Sequence, residues 1–136
     1  MTGNVQLVNW DSFSQARAEL GANFVRILGY FREDGVKSVA RIEEAMRGQN
    51  AAALVIPAHT LKGEARQFGA DPLADLAETI EMSARLCIER QDTPTTILEH
   101  VVELRPLFEA TLALLERESN PLVERRPVFG RRSIAG

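Results

Sequence analysis

Residues 51–90 read AAALVIPAHTLKGEARQFGADPLADLAETIEMSARLCIER, two amphipathic stretches joined at Gly69-Ala70-Asp71-Pro72. Before the joint, Leu54, Ala58, Leu61, Ala65 and Phe68 recur at the three- and four-residue spacing of one helical face. After it, Leu73, Leu76, Ala77, Ile80, Ala84 and Cys87 do the same. Glycine suits a helix C-terminus, aspartate an N-cap and proline the first helical position, so these four residues end one helix and begin the next. A link this short predicts an antiparallel helical pair.

The same pattern extends outward. Gly48-Gln49-Asn50 is a turn in which Asn50 can cap the helix that follows. Upstream, Phe24, Ile27, Leu28, Phe31, Val36, Val39, Ile42 and Met46 form a longer stripe, and Gly35 leaves open whether it is one helix or two. Trp10–Leu20 reads as a short leading helix with Asn9 or Asp11 as its cap. Downstream, Thr93-Pro94 starts a last helix with Ile97, Val101, Leu104, Phe108, Leu112 and Leu115 as its stripe. The expected fold is all-α: an antiparallel up-and-down four-helix bundle over residues 1–118, with one or two short N-terminal helices.

The 136-residue chain is long enough for one domain with a real core. Its net charge of −3 gives no bulk attraction to nucleic acid. That charge is unevenly spread. The segment 119–136 carries four arginines against Glu124, a net +3, which leaves −6 for the body. Pro121 and Pro127 argue against a helix there, so the segment reads as a basic tail. It could be a loose terminus or could dock on acidic surface, and its apolar Leu122, Val123, Val128, Phe129 and Ile134 could pair chains or cap the bundle. A single cysteine, Cys87, rules out an intrachain disulfide framework and reads as a small buried hydrophobe. No apolar run approaches membrane-spanning length and Met1 opens no signal peptide, so the expected compartment is the cytoplasm.

A helical hairpin has a simple metric. His59 lies ten residues before Gly69 and Glu81 ten after Asp71, so at 1.5 Å per residue both sit about 15 Å from the turn, level with each other. Lys62, Gly63 and Arg66 follow His59 at i+3, i+4 and i+7 on the same face, and Arg85 stands one turn beyond Glu81. Neutral imidazole is a nucleophile whose phosphoramidate can still give its phosphoryl group away. A carboxylate accepting Nδ1–H would leave Nε2 free to attack, and Glu81 is the candidate. Lys62, expected at the surface, is a mobile cation able to follow a phosphoryl group. Gly63 costs about 1 kcal/mol of helix propensity relative to alanine, which suggests a partner that must approach closely.

Ala58-His59-Thr60-Leu61-Lys62-Gly63, then Phe68-Gly69-Ala70, Leu73 and Ile80-Glu81, resembles the histidine phosphotransfer (HPt) signature over most of the chain, from Val8 to Leu115. The resemblance implies that His59 is phosphorylated, that Lys62 assists the phosphoryl group and that Gly63 makes room for a receiver domain. In that family a Gln or Glu is common at the position of Glu81, and some members carry a basic residue where Arg85 stands. Glu64 departs from the small residue common after the glycine, and either tunes partner choice on the docking face or is simply solvated. Pro57 either sets the angle at which His59 is presented or is a tolerated kink, and Pro106 is read the same way. His100 has no partners at informative spacing.

The expected function is a phosphorelay carrier without autokinase activity. It would accept a phosphoryl group on His59 from a receiver aspartate or a sensor or hybrid kinase and pass it to another response-regulator receiver. Catalytic roles fall to His59, Lys62 and Glu81, and partner binding to Gly63, Glu64, Arg66 and Arg85. The chain is expected to be a monomer with no metal or cofactor of its own, Mg²⁺ being supplied by the receiver, and to bind neither nucleic acid nor membrane. Two alternatives remain: a bundle that binds or sequesters a receiver without transfer, and an excised module of a hybrid kinase. The initial Met1 and short N-terminal lead favour a complete protein.

Overall fold

A computed structural model describes residues 6–119. The described elements are helices and the turns between them: α1 (Trp10–Leu20), α2 (Phe24–Arg47), α3 (Ala51–Gln67), α4 (Asp71–Arg90) and α5 (Leu98–Ser119). Short 3₁₀ turns at Gly21–Asn23 and Pro94–Ile97 lead into α2 and α5. α2 packs on α3 and α5, and α4 packs on α3 and α5, so the four long helices form a square bundle with α1 as an appendage. This is the four-helix bundle that the stripes predict.

The stripes on α3 and α5 are buried throughout, and Leu54, Ala58, Leu61, Ala65 and Phe68 are fully enclosed. On α4, Leu76 is only partly buried. Val36 departs from expectation, because it is 47% exposed on α2. The inward position there belongs to Gly35, and α2 runs through it unbroken. A β-carbon on Gly35 would stand 2.6 Å from Cζ of Phe108, so the glycine admits an α5 ring rather than breaking a helix. Pro57 and Pro106 likewise lie inside continuous helices.

Two caps match their sequence cues. Asn50 Oδ1 accepts from the Ala53 amide at 3.1 Å. Asn9 Oδ1 accepts from Asp11 at 3.1 Å and Ser12 at 3.2 Å, which makes Asn9 rather than Asp11 the cap of α1. Asp71 is not the cap of α4 but its first residue, with Ala70 preceding and Pro72 in the first turn. Nor does the last α-helix begin at Thr93-Pro94, which instead opens a 3₁₀ turn ahead of Leu98. A proline ring tolerates that tighter entry because its missing N–H would go unpaired there anyway.

The α3–α4 turn is held from outside. Gly69 has φ +76°, and its carbonyl accepts from the Asn9 amide at 2.8 Å. A β-carbon there would lie 2.7 Å from the Asn9 carbonyl oxygen. The start of α1 therefore docks on the hairpin that carries His59. Edge-to-face ring contacts from Trp10 through Phe13 and Phe24 to Phe68 tie the same end together. α5 is described as far as Ser119, and the expectations placed on the rest of the C-terminal segment lie outside the described residues.

Candidate functional site

The hairpin brings His59 and Glu81 side by side at mid-helix, where equal counts from the turn put them. His59 Nδ1 is 3.0 Å from Glu81 Oε2. Glu81 is 3% exposed, while the His59 side chain is 59% exposed. A buried carboxylate thus holds an imidazole whose other edge faces solvent. Among the described residues nothing bonds to Nε2.

Glu81 is a point of convergence. Arg85 donates to the same Oε2 through Nε at 3.1 Å and Nη2 at 2.9 Å. Lys62 Nζ lies 2.9 Å from Oε1, a close charge contact rather than a well-directed hydrogen bond. Burial alone would raise the Glu81 pKa. The close contact of Lys62 and the donors of Arg85 and His59 outweigh burial and hold it at about 2. Glu81 is therefore ionised near neutral pH and can only accept, so the proton of the His59 pair sits on Nδ1. Nε2 is then the nitrogen with a free lone pair.

Lys62 does not stand free at the surface as expected; its side chain is 22% exposed and engaged with Glu81. Arg85 is also turned inward onto the carboxylate, although half of it still meets water. Arg66 bridges to α4, with Nη2 at 3.2 Å from Asp75 and 2.8 Å from Glu78. Gly63 is open, with nothing within 4 Å of an added β-carbon. His59, Lys62, Gly63, Glu81 and Arg85 form one patch, and Arg66 lies a turn away along the seam.

Glu64 is not part of that patch. Five residues at 100° each carry it roughly 140° around α3 from His59, toward α2. Burial first, and then the neighbouring Asp34 carboxyl, push its pKa up to about 7. Its Oε1 is buried without a hydrogen-bond partner among the described residues. The expected docking-face charge is thus a carboxyl shared with α2. Its spacing carried the signal, because Pro57, Leu61, Glu64 and Phe68 follow one another at i, i+4, i+7 and i+11 on the core side. The Asp34–Glu64 pairing itself had no such cue.

Cys87 is buried, with Sγ donating to the Thr93 carbonyl at 3.6 Å. No cluster of three or more His, Cys, Asp or Glu side chains suited to a metal ion occurs among the described residues. No described helix is long and apolar enough to cross a membrane.

An exposed imidazole on a carboxylate within a four-helix bundle defines a class, and comparison places the chain in it. The Hpt domain family profile matches residues 26–118, and the chain belongs to that family of phosphocarriers. Its structure is similar to the crystal structure of histidine-containing phosphotransfer protein B (HptB) from Pseudomonas aeruginosa PAO1. The TM-score is 0.73 at 19% identity, covering 85% of this chain and 96% of that one. At that identity the likeness speaks for the fold. No curated protein matches the chain.

Proposed function

We propose that this protein is a phosphorelay carrier in which His59 Nε2 takes a phosphoryl group from a receiver aspartyl phosphate and yields it to the aspartate of a second receiver. The observation that carries this reading is the 3.0 Å contact between His59 Nδ1 and an ionised Glu81 on the solvent face of α3 and α4. In the forward step the Nε2 lone pair forms a P–N bond as the P–O bond to the aspartate breaks, and the carboxylate leaves with the electron pair. His59 keeps its Nδ1 proton and becomes a phosphorylated imidazolium, whose positive charge faces Glu81. Return to an aspartate reverses the sequence.

In this reading Lys62 neutralises charge on the transferring group, and Gly63 leaves the open surface over which the receiver settles. Mg²⁺ comes with the receiver, and the chain supplies the nucleophile without autokinase activity. Arg66 lies along the seam where it can meet the rim of a docked partner. The cytoplasm, where receivers and kinase modules meet, is the proposed compartment.

The test is incubation with a phosphorylated receiver. Wild type should acquire an acid-labile phosphoryl group, and His59→Gln should acquire none. Equal labelling of both would overturn the assignment. Tight receiver binding with no label on either would identify a sequestering bundle instead.

A further inference from the structure

Lys62 and Arg85 divide the two oxygens of Glu81 unequally. Arg85 places two directed donors on Oε2, at 3.1 and 2.9 Å, beside the His59 proton donor. Lys62 has Oε1, through one ammonium on a flexible four-carbon stem. On the phosphotransfer reading, which this inference rests on, Lys62 must turn from Oε1 toward a group arriving at Nε2. It lies three residues from His59 on the same helix, so its stem can reach either side. Yet withdrawing a counter-ion from a carboxylate this buried is strongly unfavourable unless another remains.

We propose that Arg85 is a positioning residue that remains on Glu81 Oε2 as counter-ion, so that Lys62 can leave Oε1 for the phosphoryl group while His59 keeps its Nδ1 partner. Before transfer, Glu81 is balanced by Lys62 and Arg85 beside a neutral imidazole. After transfer it faces Arg85 and the imidazolium, and Lys62 neutralises the phosphoryl oxygens. The buried carboxylate keeps a cation beside it at both stages. Without Arg85, Lys62 is the remaining cation on a buried carboxylate and stays there. Arg85 thus acts on the reaction through Glu81 and Lys62, without contact to the transferring group.

Phosphoramidate is the suitable probe, because it phosphorylates histidine without a receiver and so separates this role from partner binding. Its P–N bond breaks as the bond to Nε2 forms, and ammonia leaves. Arg85→Ala should slow labelling of His59 about tenfold. Lys62→Ala should slow wild type clearly, yet slow the Arg85→Ala background by no more than about twofold, since Lys62 is already locked there. Arg85→Lys should restore most of the rate and Arg85→Gln should not. The Gln and Lys variants carry the comparison should the alanine variant melt.

Wild-type rates in both Arg85→Ala and Arg85→Gln would overturn the proposal, as would Lys62 and Arg85 effects that multiply in full. Both results leave the phosphotransfer reading standing. Wild type that takes no phosphoryl group on His59 from phosphoramidate or from any receiver would overturn both.

Discussion

Glu64 shows how a single carboxyl can work against its own fold. Half-buried and beside Asp34, it has a folded-state pKa raised to about 7, above its ordinary value of 4.5, by desolvation first and then by the Asp34 carboxyl. A group raised in this way contributes stability that is fully present below the ordinary value and is lost as pH rises through the raised one. Between pH 5 and 8 the Asp34–Glu64 contact therefore turns from favourable to repulsive. Glu64→Gln keeps the shape and can donate to Asp34 at any pH. It should raise Tm by about 2–4 °C at pH 8 and change it little at pH 5, as read by thermal melts at the two values. Equal shifts at both would mean that the carboxyl does not titrate in this range. Glu81 has the opposite sign, because its pKa is lowered to about 2 and its contribution, present above the ordinary value of 4.5, is lost as pH falls from there toward 2. Two glutamates on one hairpin thus meet opposite fates: burial raises both, cations overcome it at Glu81, and at Glu64 a neighbouring carboxyl adds to it.

At the scale of the element, Gly35 is the instructive position. Propensity alone treats glycine in mid-helix as a weakness that alanine would repair by up to about 1 kcal/mol. Here the absent side chain is the contact surface, since the Phe108 ring rests where a β-carbon would be. Gly35→Ala should destabilise by about 1–3 kcal/mol despite the better propensity, read as a fall in the urea midpoint. A stabilised variant would mean that the α2–α5 packing gives way easily. Gly63 is the contrasting case: nothing near it explains the missing side chain, so the reason for it is sought in a partner. Sequence alone cannot tell these two glycines apart. Each stands in mid-helix in the same way, and the difference lies in what another helix brings to that point.

The whole molecule separates scaffold from site. The α3–α4 seam carries His59, and the α2–α5 seam lies on the opposite side of the square. There Arg105 donates to both oxygens of Glu43, at 2.9 and 2.7 Å, across 62 residues of sequence. The pair is partly exposed and so contributes modestly. Arg105→Ala should cost under about 1 kcal/mol and leave the rate of His59 labelling unchanged. A changed rate would show that the far seam is coupled to the site. The docking of α1 works differently, because Asn9 bonds directly to the Gly69 carbonyl at the turn of the site hairpin. That contact fixes the turn from which the height of His59 and Glu81 is counted.

Periodicity and punctuation determined much of this protein on their own. Apolar spacing specified the long helices, Asn50 and Gly69 marked their ends, and equal counts from one turn put His59 level with Glu81. These are local properties, because helix geometry converts sequence distance directly into height and azimuth. What only the tertiary structure decided depends on neighbours remote in sequence. Phe108 from α5 made Gly35 an obligatory gap, desolvation against α2 together with its Asp34 raised the Glu64 pKa, and burial between helices made Glu81 a hub for Lys62 and Arg85. Height along a helix can be counted from sequence, but the burial and charge around a side chain exist only once another helix has packed against it.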